Sequence, residues 1–244
     1  MPASITADQL DPEARAELRT LPGDLAEAVA RFLVASGAAE DPERGYDYAV
    51  AARELAGRVG VVRETCGIAA YRAGKWAEAL AELRAARRLT GQGSYLPLMA
   101  DCERALGRLD RALELATGSP AADLSRETQI ELRIVESGIR RDQGFPEAGV
   151  VALQIPELTD SRQRPWSARL YYAYADALDA AGREEEARVW FGKAAEADVD
   201  GQTDAAERLD DLDLLAFDDL EADEADDADE AAQADAADED HEDG

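Results

Sequence analysis

The residues able to do chemistry in this sequence are few and poorly placed for it. The single histidine, His241, stands among acids close to the C-terminus. That leaves Ser–His and Cys–His nucleophiles without a base, and zinc without its usual nitrogen ligand. Cys66 and Cys102 are the only cysteines. Two thiols do not make a disulfide framework, and both read as small buried hydrophobes. No glycine-rich phosphate loop, GxxxxGK[ST] or GxGxxG, lies between a strand and a helix. The EF-hand spacing is absent from the acidic stretches. With 54 aspartates and glutamates, no single carboxylate pair carries information. The reading is a protein with no catalytic residue, no cofactor and no metal site: not an enzyme.

What remains are arginines and aromatics, the side chains that most often anchor interfaces. Arg162, Arg164, Trp166, Arg169, Tyr171 and Tyr172 crowd into one short stretch. Guanidinium groups interleaved with rings can form a binding hot spot. The same pattern also fits Trp166 stapling a loop to the helix that follows. Arg84, Arg87 and Arg88 sit where a helix should end, and there they complement its dipole. The net charge of −28 has the wrong sign for a nucleic-acid field.

The elements that must position these groups are marked by glycines. Gly37, Gly74, Gly107, Gly144 and Gly182 lie 37, 33, 37 and 38 residues apart. A period of this size is that of stacked helix–turn–helix units. A small residue precedes each glycine by seven: Ala30, Gly67, Ala100, Ser137, Ala175. Another follows four of them by five: Ala79, Ala112, Gly149, Ala187. Small side chains at these places let two helices approach closely, and the glycine can take the left-handed conformation that ends the first helix. Leu83, Leu153 and Phe191 then fill the space between hairpins. Ser119 and Pro156 shorten the second helices near 109–117 and 146–154. No apolar alternation marks a strand.

The pattern in 62–89 and in 171–197, where Ala175, Gly182, Ala187, Phe191 and Ala194 follow one another, resembles the tetratricopeptide repeat. The stretches YLPLMADCERALGR and RPWSARLYYAYADALDAAGREEEA are similar to repeat proteins of this kind from high-GC actinobacteria. The resemblance implies an all-α fold, a right-handed α-α superhelix of about five hairpins. It also implies a concave groove, lined by the first helix of each hairpin, that holds a protein or peptide. Positions three, six and ten before each turn glycine would face that groove. They include Arg31, Tyr71, Arg104, Arg141 and Tyr172, with Arg169 one turn further out. The centre of the groove then reads as positive, around Arg104 and Arg141, and both ends as negative. A Lys/Asn/Arg set for a peptide C-terminus is not present: its places hold Glu64, Ile68, Leu98, Glu131 and Val135.

Along the chain, residues 1–22 read as an N-terminal cap whose first ten residues fray, with Asp11-Pro12 opening a short helix. Residues 23–200 read as the repeat domain and 201–220 as a capping helix starting at Thr203. Residues 221–244 read as a disordered acidic tail. From Leu209 onward there are 18 acids and no base, so the other 36 acids against 26 bases leave the rest at −10. No apolar run approaches a membrane span, and the start lacks the look of a signal peptide, which places the protein in the cytoplasm. The function expected is an adaptor that binds a protein or peptide in its groove. The alternative is an acidic chaperone or mimic whose tail shields a basic partner.

Overall fold

The computed structural model describes residues 4–118, 124–160 and 162–212, together with Pro2. Among them every regular element is helical. The chain divides into two compact units, Met1–Phe145 and Pro146–Gly244.

The first unit opens on α1 (Pro12–Glu17). The Asp11 carboxylate accepts the N–H groups of Glu13 and Ala14 and so satisfies two of the orphan donors of the first turn. Three hairpins follow: α2 (Gly23–Gly37) with α3 (Pro42–Ala56), α4 (Gly60–Arg72) with α5 (Trp76–Thr90), and α6 (Leu96–Ala105) with α7 (Leu109–Thr117). The unit ends with α8 (Arg126–Asp142), capped by the Ser125 hydroxyl. The second unit holds α9 (Pro146–Leu153), α10 (Ser167–Ala180), α11 (Glu184–Ala197) and α12 (205–212). Thr203 does not cap α12 as expected. The Asp198 carboxylate accepts both the Thr203 N–H and its hydroxyl, and Asp204 takes the cap position, its C=O accepting from Arg208. The acidic segment expected to be disordered lies outside the described residues, as do residues 213–220 of the expected capping helix.

Four of the five spaced glycines end their helices in one way. Gly74, Gly107, Gly144 and Gly182 have φ of 67°, 71°, 82° and 73°. In each turn the residue after the glycine donates its N–H to the carbonyl five residues before it: Lys75 to Ala70, Arg108 to Glu103, Phe145 to Arg140, Arg183 to Leu178. This is the Schellman closure, and it needs a residue without a Cβ at its left-handed position. Gly37 departs from the expectation. It stays within α2, and the helix ends at Ala38 with right-handed geometry. The extra residues before Asp41 let the chain turn without the tight closure.

The small residues seven before each glycine are all buried, as are Ala79, Ala112, Gly149 and Ala187. Gly67 shows why. A Cβ placed there would lie 2.7 Å from Leu83 Cγ and 3.2 Å from the Leu83 backbone nitrogen. Helix propensity alone favours Gly67→Ala by about 1 kcal/mol, whereas overpacking a filled core costs about 1–3 kcal/mol. Leu83 is fully buried and has nowhere to go. Gly67→Ala should therefore lower stability by about 1 kcal/mol net, read from the urea midpoint. A raised midpoint would show that α4 and α5 can part at no cost.

Candidate interaction surface

The first helices of successive hairpins are joined side by side by polar contacts, and these run through the positions expected to face a groove. In the first unit the Tyr71 hydroxyl of α4 donates to Asp101 Oδ2 of α6 at 2.5 Å. Arg104 of α6 donates to Asp101 at 2.8 Å and across to Asp142, at the end of α8, at 2.7 Å. Its guanidinium lies over Gly138, where a Cβ would come within 2.9 Å of Nη1. Nearer the other end of α4, Glu64 accepts the Tyr95 hydroxyl at 3.0 Å. In the second unit Asp179 of α10 accepts Arg208 of α12 at 2.7 Å. The position three before the turn glycine thus reaches a neighbouring helix in three of the five repeats: Tyr71, Arg104 and Asp179. It bonds laterally, and only part of it is open to a partner.

That geometry changes the charge expected at the centre. Arg104 is held between two carboxylates, so the expected positive patch is neutralised on the Arg104 side. Arg141 lies half-buried on the last turn of α8 and is itself engaged. Arg31 is turned toward the N-terminal segment, where its Nε donates to the Ile5 carbonyl at 3.1 Å. Residues 4–10 accordingly do not behave as the frayed end expected. A 3-10 turn, Ala7–Gln9, lies there, and Ala7 and Leu10 pack on the first core cluster.

In the second unit Tyr172 packs edge-on against Phe191, with ring centroids 5.5 Å apart. Burial and then a hydrogen bond to Asp204 push its phenol up to about 12. The stretch expected to form a hot spot is held in pieces. Arg162 grips Asp160, two residues away, at 3.0 Å; the Arg164 N–H donates to the Ser167 hydroxyl; and Trp166 stands at the N-cap of α10. Arg169 is exposed in the first turn of α10 and is engaged. The aromatic cluster that does form is one the sequence reading missed. Trp190 meets Tyr171 and Tyr174 at 5.6 and 5.0 Å, and the Lys193 ammonium sits 3.6 Å over the indole. The i, i+3 spacing of Trp190 and Lys193 was its only local signal.

Three buried carboxylates brace the first unit from within. Glu82 takes Arg53 at 2.9 Å and Arg63 at 2.7 Å. Glu103, with 0% of its side chain exposed, takes Arg84 at 2.6 Å and Arg108 at 3.1 Å. Glu136 takes Arg133 at 2.6 Å. Arg84, expected to serve the dipole of its own helix, instead bridges to the next hairpin. Burial pushes the thiols of Cys66 and Cys102 up to about 11 and about 12, so both are inert at neutral pH. Among the described residues no group of three His, Cys, Asp or Glu side chains could hold a metal, and no helix is long and apolar enough to cross a membrane.

Glu64 gives a pH dependence with a definite sign. Burial raises its pKa; the Tyr95 hydroxyl lowers it in part, and Glu17 adds to the rise. A carboxyl raised in the folded state binds its proton more tightly there than in the unfolded chain. Its charged form therefore costs stability at neutral pH, and the cost is relieved as pH falls through the folded pKa. Glu64→Gln, which keeps an acceptor for Tyr95, should raise the urea midpoint at pH 7. The gain should shrink as the pH is lowered through the carboxylate range. A difference that does not change with pH would remove this account.

No family model matches the chain, and a search of curated proteins finds no match. Solved structures do match. The quorum sensor NprR from B. thuringiensis, in its apo form, superposes with a TM-score of 0.60 at 15% identity over 80% of this chain and 59% of that one. The chain thus spans somewhat over half the length of that sensor. TTC0263, a thermophilic TPR protein in Thermus thermophilus, gives a TM-score of 0.55 at 15% identity over 82% of this chain and 99% of that one. At these identities the likeness establishes the fold: an all-α, TPR-like stack of helical hairpins.

Proposed function

We propose that this chain is a non-enzymatic interaction module that binds a protein or peptide segment along the face made by α4, α6 and α8. The observation that carries the reading is the row Tyr71–Asp101–Arg104–Asp142. It is a preordered line of phenol, carboxylate and guanidinium in which the Arg104 side chain stays 33% exposed and that of Asp142 41%. Such a row is held rigid by its own hydrogen bonds, so a partner loses little by ordering it. It offers acceptors as well as a cation, which suits a polar segment of mixed charge better than a purely acidic one. Ile68 and Ile134, half-buried on the same stripes of α4 and α8, supply apolar contact beside it.

The test is site-specific photocrosslinking in native lysate. A benzophenone side chain at Ile68 or Ile134 should trap one common partner, and the same group at exposed Leu89 of α5 should not. Equal trapping at all three positions would reject the face. The alternative, an acidic tail shielding a basic partner, rests on residues outside those described. It predicts loss of the partner when residues after Leu220 are removed, with the crosslinking face intact.

A further inference from the structure

The open edge of the first hairpin is covered by a strap rather than by a helix. Arg31 stands six residues before Gly37, as Asp101 and Gly138 stand before Gly107 and Gly144. Those two positions touch the preceding first helix, through Tyr71 and Arg104. Among the described residues no such helix precedes α2, and Arg31 reaches the backbone of residues 4–10.

The strap is held in a particular way. The Ile5 carbonyl accepts from Arg31 Nε at 3.1 Å, the Leu10 carbonyl accepts from Arg15 Nη2 at 3.2 Å, and the Asp8 carboxylate accepts from Arg15 Nη1 at 3.1 Å. Two of these bonds go to main-chain carbonyls on either side of the 3-10 turn Ala7–Gln9, and so ask for no particular side chain. The third reads one acid, three residues after the first carbonyl. Beside the strap lies a pocket of about 660 Å³, lined by Arg15, Arg19 and Arg31 over a floor that includes Leu18 and Ala30. Among the described residues Arg19 has no ion pair. The Nε of Arg15 is buried with no hydrogen-bond acceptor. A buried donor left unsatisfied is the kind of group that a ligand acceptor completes.

The polar ties of the strap are weak, and apart from them Ala7 and Leu10 pack on the first core cluster. The strap's one ion pair involves an Asp8 side chain that is 92% exposed, and exposed pairs of this kind contribute little. We infer that this edge is a binding site for a short acidic peptide segment of a partner that takes the same 3-10 turn, occupied in cis by residues 5–10 of the chain itself. The inference rests on the reading of the chain as a peptide-binding module and places a second site on it, away from the row at Arg104. Three guanidinium groups facing Asp8 and Glu27 leave the pocket positive, although the chain as a whole is strongly negative. The ligand is therefore selected by a local field, with a Debye length of about 8 Å at physiological salt.

Because the strap is tethered, it competes at high effective concentration. The experiment loosens it without shortening the chain. A fluorescein-labelled peptide with the sequence of residues 4–11, SITADQLD, is titrated against the full chain and against its Asp8→Ala variant, with anisotropy as the readout at about 0.15 M salt. The peptide should bind the Asp8→Ala chain at least threefold more tightly than the unaltered chain. A peptide carrying Ala for its Asp8 should bind that variant at least fivefold more weakly. Arg31→Ala or Arg19→Ala, added to Asp8→Ala and confirmed folded by circular dichroism, should weaken the labelled peptide by a similar factor. No saturable binding to the Asp8→Ala chain, or binding indifferent to the arginines, overturns the assignment. Uptake that appears only as concentration-dependent dimers of the Asp8→Ala chain gives the site to a second copy and overturns the partner reading. If the peptide fails here while Ile68 and Ile134 still crosslink their partner, this inference alone falls.

Discussion

Replacing Arg84 and Arg108 together by alanine should cost about 3–5 kcal/mol, the largest stability loss expected of any surface substitution in the first unit. Both arginines look dispensable, with side chains 44% and 45% exposed. Their value lies in Glu103, which has no access to solvent and no other described ion-pair partner. A carboxylate left in that place without a counter-ion keeps its whole desolvation cost and loses both charge-assisted bonds. The opposite substitution is milder. Glu103→Gln keeps the volume and frees two arginines that water can reach, so its cost should be about 1–2 kcal/mol. The asymmetry is the diagnostic, and urea unfolding measures it. Adding Glu103→Met to the double arginine variant should recover a large part of the loss, because an apolar group of similar size has no charge to strand. A double arginine variant no less stable than Glu103→Gln would mean that the carboxylate is not confined as described.

Gly74, Gly107, Gly144 and Gly182, and the small residues at fixed distances from them, were legible in the sequence because their constraint is local and steric. A left-handed backbone admits almost only glycine, and a close helix crossing admits almost only Ala, Ser or Gly, so residue type alone reports the geometry. Helix limits followed to within a few residues for the same reason. Gly37 misled because a glycine can also simply sit in a helix, and only the chain beyond it decides. The charged surface was legible in direction but not in consequence. The 3.6-residue period put Tyr71 and Arg104 at matching places on their helices, yet a stripe on one helix cannot say whether it meets solvent or the next helix. Asp142, which neutralises Arg104, is 38 residues further along the chain. Arg208, which pairs with Asp179 and Asp176 in the second unit, sits in the stretch read as a capping helix, whose own sequence does not say which acids it meets. In the Arg162–Trp166 stretch, neighbours in sequence have different local partners: Arg162 pairs with Asp160, the Arg164 N–H donates to Ser167, and Trp166 stands at the start of α10.

Reversing Arg104 should destabilise the first unit, and this decides how its role in binding can be tested. Arg104→Glu removes two ion pairs and sets three carboxylates together, with Asp101 and Asp142 at distances where the guanidinium now sits. For a fully buried site the cost would be about 3–5 kcal/mol. The Arg104 side chain is one-third exposed, so water screens part of the repulsion, and about 2–3 kcal/mol is expected. Asp101 would also lose a partner while still accepting the Tyr71 hydroxyl, whose pKa burial and that same bond already raise. Loss of partner capture by Arg104→Glu is therefore ambiguous by itself. The charge swap Arg104→Glu with Asp142→Arg restores one lateral pair with reversed polarity and should recover about half of the lost stability. A partner that depends on the order of charges along the row should still fail to bind the swapped chain at a protein concentration where it is fully folded. Recovery of stability together with full recovery of binding would show that the partner does not read Arg104. An Arg104→Glu chain as stable as the original would show that Arg104 is not held between Asp101 and Asp142 in solution.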